Sequence, residues 1–131
     1  MKYKIVLFLC LILAVIPLAS SYPNIISDSG TNHTLNKQVV YSIPEHYFNG
    51  VDTVEFTNQG VFGNRAGYYH IYWINNYYYG GKIWIYGGQA TNWNETEMRK
   101  TLKHELGHND WFYNLHNKIN NEEYADEFRI R

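Results

Sequence analysis

Cysteine is almost missing from this 131-residue chain. Its one copy, Cys10, lies inside an N-terminal apolar run, so residues 22–131 hold no thiol that could form a disulfide. A disulfide-stapled scaffold is therefore excluded, and packing, with or without a metal, has to stabilise the fold. Basic clusters are also lacking. Once Lys2 and Lys4 are set aside, 9 basic residues stand against 12 acidic ones, a net charge of −3. No basic patch offers a footprint for nucleic acid, and none is expected as a partner. Apolar runs are short as well. The longest, Ile5 to Ala19, has 15 residues and contains Pro17, whereas a membrane span needs about 20. There are no internal repeats and no low-complexity tract beyond a bias toward Tyr and Asn.

What is present begins with a leader. Lys2 and Lys4 give a positive start, the apolar run follows, and Ala19-Ser20-Ser21 are small residues of the kind a signal peptidase accepts. This predicts a secretory signal over residues 1–21, cleaved after Ser21, and a single domain over 22–131 that is secreted or held at the cell surface. Cys10 sits mid-run, which does not suit a lipoprotein signal. No stable membrane association is expected after cleavage, and the domain reads as a monomer. Asn32-His33-Thr34 and Asn94-Glu95-Thr96 match the N-glycosylation pattern, which matters only in an organism that glycosylates exported proteins.

Residues 22–38 are polar and turn-rich, and read as an extended or poorly ordered lead-in. Val39 to Ser42 suggests a short strand. Pro44 suits the first position of a short helix through Phe48, and Asn49-Gly50 a turn. Strands are expected over Val51–Phe56, Tyr68–Ile74 and Lys82–Tyr86, with a loop over 57–66, a turn at Asn75-Asn76 and a hairpin extension at Tyr77–Tyr79. Gly80-Gly81 and Gly87-Gly88 bracket the last strand, in which Ile83 and Ile85 point one way and Lys82, Trp84 and Tyr86 the other. Asn94 then reads as an N-cap with Glu97 three residues on, a capping-box pattern, and no proline interrupts the helix predicted to run to about Asn109. Residues 110–120 read mostly as loop, and Glu122–Ile130 as a second helix with Tyr124, Ala125 and Phe128 apolar.

The chemistry sits in the first of these helices. His104-Glu105-Leu106-Gly107-His108 is an HExxH motif. At about 100° per residue, Met98, Leu102 and Leu106 share one face, while His104 and His108 share another, roughly opposite. Spacing i, i+4 sets the imidazoles one turn apart, as two ligands on one zinc ion require. Glu105 projects to the side, where a carboxylate can take a proton from a water held by the metal. Gly107 is costly inside a helix, about 1 kcal/mol relative to alanine, and suggests that something passes close to it. Asp110, His116, Glu122, Glu123 and Asp126 are all candidates for a third ligand. The metzincin extension is missing, since Trp111 and Asn114 occupy the positions that would be glycine and histidine.

Glu122-Glu123-Tyr124-Ala125-Asp126 resembles the glutamate helix of the gluzincins, a Glu-x-x-x-Asp arrangement, and residues 122–128 also resemble that helix in ImmA/IrrE-type peptidases. The resemblance is specific over about residues 82–128 and closest to the minimal gluzincins. It implies a small α+β zincin-like domain, with a short antiparallel or mixed sheet, an HExxH helix and a glutamate helix. It also implies one Zn2+ held by His104, His108 and Glu122, with Glu105 as the base and Asp126 orienting a histidine. Peptide-bond hydrolysis of a peptide or protein substrate would follow. The strand just before the HExxH helix, here Lys82–Tyr86, would be an edge that binds substrate backbone. Tyr113, His116, Tyr124 and His70 are candidates for stabilising an oxyanion, and His33 and His46 read as incidental. Two other readings are open. One is a latent peptidase whose cleft is filled by the Arg129–Arg131 tail or by residues 22–38. The other is a non-catalytic exported module with a structural zinc.

Overall fold

The computed structural model describes residues 22–58, 65–75, 77–87, 93–117 and 119–131. The expected leader, the Gly60, Gly63 and Asn64 part of the 57–66 loop, Asn76 and Gly88 lie outside the described residues.

Four strands form one mixed sheet in the order β1-β2-β4-β3: β1 is Asn24–Ser27, β2 Val51–Thr57, β3 Gly67–Ile74 and β4 Tyr77–Tyr86. β1, β2 and β4 run parallel, and β3 pairs antiparallel with β4. Parallel neighbours need a crossover, and the helix α1, His33–Tyr41, makes it between β1 and β2. Register places Val54 beside Ile83 and Phe56 beside Ile85. These four side chains are fully buried, and against them pack Val39 and Val40 of α1 and Met98, Leu102 and Leu106 of the helix α2, Glu95–Asn109. Phe128 of the last helix, α3 (Glu122–Phe128), joins the same core. Each such side chain contributes about 1.5–3 kcal/mol by leaving water. The result is a mixed α/β domain with helices laid on the sheet face that carries Val54, Phe56, Ile83 and Ile85.

Several expectations are corrected. Residues 22–38 are not a loose lead-in, because they supply β1 and most of α1. Val39–Ser42 is not a strand either. The Asn32 side chain accepts from the Leu35 amide and caps a helix. Asn36, Val39 and Val40 then share its buried side, so helical spacing outweighs the β-branched pair. β4 does not stop at Gly80-Gly81 but runs through both. A Cβ on Gly81 would come within 2.8 Å of the Tyr69 ring, so the absent side chain makes room for an aromatic neighbour rather than a break. Residues 110–114 form a widened helical turn that continues α2, with the Leu115 amide reaching back to the Asp110 carbonyl at 3.0 Å.

The elements read from local signals agree more closely. Pro44 precedes a short 3-10 turn, Glu45–Phe48. The Asn94 side chain accepts from the Thr96 and Glu97 amides at 2.9 and 3.2 Å, and α2 ends at Asn109. Only that half of the capping box is made, since the Glu97 carboxylate turns to Lys100 at 3.1 Å.

Candidate metal centre

The two histidines reach the same space from successive turns of α2, because Met98, Leu102 and Leu106 hold its other side in the core. α3 brings the third group. It can approach because residue 107 is glycine: a Cβ there would meet the Ala125 Cα at 2.7 Å and the Phe128 Cβ at 2.9 Å. What passes Gly107 is therefore the backbone of α3. The start of α3 is capped by Asn121, whose side chain accepts from the Tyr124 amide at 2.9 Å.

Three atoms converge. His104 Nε2 lies 3.2 Å from His108 Nε2 and 3.2 Å from Glu122 Oε2, and His108 Nε2 lies 3.5 Å from that oxygen. Ligands about 2.0–2.1 Å from a tetrahedral ion stand roughly 3.3–3.4 Å apart, so the triangle has the size that one metal ion needs. Asn120 Nδ2 donates to Glu122 Oε1 at 3.0 Å, which leaves Oε2 for the histidines. His104 Nδ1 lies 3.1 Å from Asp126 Oδ1, a contact that would fix the ring's tautomer. Among the described residues this is the one group of three or more metal-ligating side chains so gathered, and it can hold a metal ion. Neutral His108 suits the role, because burial pushes its imidazole below the ordinary value. Burial would push the Glu122 carboxyl up, but the Asn120 amide and the two histidines outweigh it and hold the group below the usual carboxylate range.

Glu105 is buried between α2 and the beginning of β3, where a Cβ on Gly67 would come within 2.8 Å of its Oε1. Burial first, and the Glu122 charge second, push its carboxyl up to about 8 in this metal-free site, with Arg65 acting the other way. Both histidines and Glu105 line a cleft of about 1090 Å³, whose opposite wall is β3 and the residues leading into it, Arg65 to Trp73. β3 is one of the sheet's two edge strands, with β4 as its partner, and β1 is the other. The strand just before α2 in sequence, Lys82–Tyr86, is interior between β2 and β3, so the edge expected there belongs to β3 instead. The β3 hairpin folds back outside β4, and local alternation carries no information on that order.

The other candidates are dispersed. His116 is exposed, with φ of +54°, and Glu123 is exposed. Asp110 accepts from the Tyr124 hydroxyl and from Asn114 Nδ2. Tyr113 packs over Gly50 and against Tyr78, so of the four oxyanion candidates His70 is the one on the cleft wall. His33 bonds Ser27 in the α1 region. Residues 22–38 build β1 and α1 and do not line the cleft, so they do not fill it. Arg129 does line it, while the Arg131 guanidinium lies 5.3 Å from the Tyr124 ring.

Sequence reasoning missed Asn109. It is fully buried, accepts from the Tyr69 hydroxyl at 3.1 Å, and donates to the Asn49 carbonyl at 2.7 Å. A polar residue directly after the last histidine, on a helix otherwise about to end, was the available signal.

The chain is thus a mixed α/β domain with a two-histidine, one-glutamate cluster able to take a metal ion. No protein-family model, curated protein or solved structure matches it.

Proposed function

We propose that this chain is an exported, zinc-dependent metallopeptidase of the gluzincin type, acting on peptide or protein substrates as a monomer. The observation that carries the reading is the 3.2–3.5 Å triangle of His104 Nε2, His108 Nε2 and Glu122 Oε2, beside a buried carboxylate in a cleft. Residues 22–131 hold no cysteine to supply a softer thiolate, and two imidazoles with one carboxylate suit zinc. A zinc ion bound there supplies Lewis acidity toward a carbonyl oxygen and toward water.

The protein's own groups supply the rest. Glu105, in its ionised form, takes the proton of the attacking water on a carboxylate oxygen and returns it to the leaving amine nitrogen. It follows His104 directly, so it leaves α2 to the side of the two histidines. The edge backbone of β3 offers hydrogen bonds to an extended peptide, which would lie along the cleft as an added strand. His70 belongs to that wall, but its ring lies with Tyr68 and Tyr72 on the sheet face opposite Tyr69, so we assign it no role toward developing charge.

The test is direct. Residues 22–131 should bind about one zinc per chain and cleave an unfolded protein. Glu105→Ala should keep the zinc and lose cleavage by at least about a hundredfold. Full activity in that variant would refute the mechanism.

A further inference from the structure

Only 13 residues separate His108 from Glu122, so the chain must reverse tightly for the glutamate to face the histidines. The widened turn Asp110–Asn114 starts that reversal. Insertions of this kind within helices are often found at functional sites. Two of its side chains reach forward to the start of α3. Asp110 Oδ2 accepts a hydrogen bond from the hydroxyl of Tyr124, two residues beyond Glu122. Trp111 Nε1 donates to the Ile119 carbonyl at 2.7 Å, three residues before Glu122, and its ring lies 4.8 Å from that of Tyr124. The turn is itself anchored to the body of the protein. Asn114 Nδ2 holds Asp110 Oδ1 at 2.7 Å, and Asn49 Nδ2 donates to Asn114 Oδ1 at 3.0 Å.

Glu122 needs such help. Its side chain is 64% exposed, and beyond the histidines it is held by Asn120. The contact of Gly107 with Ala125 sets how near α3 comes to α2, yet a helix on a smooth contact can still turn about its own axis. A metal ligand has to be placed to within about 0.2 Å.

We propose that Asp110, Trp111 and Tyr124 form a clasp that sets the rotation of α3 and thereby positions the third metal ligand. They are positioning residues, and the proposal rests on the reading that His104, His108 and Glu122 hold one metal ion.

The experiment uses residues 22–131 with zinc as the probe. Affinity is read by competition with a chromophoric chelator, and the ligand set by the absorption of the cobalt-loaded protein. Tyr124→Phe should weaken zinc binding by roughly 10–100-fold, as loss of a partner behind the ligands does, and should shift the cobalt spectrum toward that of Glu122→Ala. In a Glu122→Ala background the same Tyr124→Phe change should have less than about a twofold effect, because the residue it positions is gone. Trp111→Phe keeps a ring and loses the N–H; it should repeat the pattern, and it serves if Tyr124→Phe does not fold. Equal losses with and without Glu122 would overturn the clasp, since the change would then act on the fold alone. So would a zinc-binding parent protein that is indifferent to both changes. A parent protein that binds no zinc would remove the metal-site reading itself, and the clasp with it.

Discussion

Gly107→Ala separates helix propensity from packing. On an open helix surface the change would stabilise by about 1 kcal/mol. Here the new methyl would start 2.7 Å from the Ala125 Cα, 2.9 Å from the Phe128 Cβ and 3.2 Å from the Ala125 carbonyl oxygen. Two of these are backbone atoms of α3, which cannot swing aside as a flexible side chain can. Ordinary contact requires α3 to retreat by roughly 0.7–1 Å. Overpacking of this kind costs about 1–3 kcal/mol, with backbone neighbours at the upper end, so a net loss of about 2 kcal/mol is expected. For a domain of this size that lowers the Tm by about 10 °C. The second consequence distinguishes this site from a general core position. Glu122 rides on α3, so its retreat opens the 3.2 and 3.5 Å edges of the ligand triangle. Zinc affinity should fall together with stability. Thermal unfolding of the chelated protein gives the first quantity and chelator competition the second. A Gly107→Ala protein that is more stable than its parent and binds zinc equally well would refute the packing of α3 on this glycine.

The metal-free protein should lose stability as pH rises. Glu105 titrates near 8 when folded against its ordinary 4.5, so below 4.5 it is protonated in both states, and between 4.5 and 8 unfolding releases its proton. Across that window stability should fall by up to about 5 kcal/mol, and not further above it. His108 acts oppositely, since burial disfavours its charged form and stability is lost as pH falls below its ordinary 6.5. Urea unfolding of chelated protein between about pH 5 and 9 should show the slope from Glu105 removed in Glu105→Gln; parallel curves would sink the assignment. Asn109→Ala should cost about 2–4 kcal/mol, because it leaves the Tyr69 hydroxyl and the Asn49 carbonyl without their partner. A urea midpoint unchanged by this substitution would show that water replaces both bonds.

What could be read in the sequence, and what could not, divides by the range of the interaction. The Asn94 cap, the leucine stripe and the i, i+4 histidines are encoded within one or two turns, so α2 and its two histidines were legible in place. Buried Ile83 and Ile85 alternate with half-buried Lys82 and Trp84, so their strand was legible too. Its position in the sheet was not, because whether β4 is an edge depends on where β3 pairs, and both strands carry the same aromatic and β-branched character. The segment 33–41 misled for a related reason: Val39-Val40 favours a strand by intrinsic preference, and only the Asn32 cap with the buried spacing of Asn36, Val39 and Val40 turns it into a helix. At the candidate centre, Glu122 was singled out by resemblance, while residue types alone left Glu123, His116, Asp110 and Asp126 beside it. The discriminating fact is three-dimensional. Gly107 admits the backbone of α3 at Ala125, and with Ala125 against α2 and Tyr124 bonded to Asp110, Glu122 is the first-turn carboxylate turned toward the histidines. A single missing methyl group on one helix thus decides how near the other can bring its acidic residue to the two imidazoles.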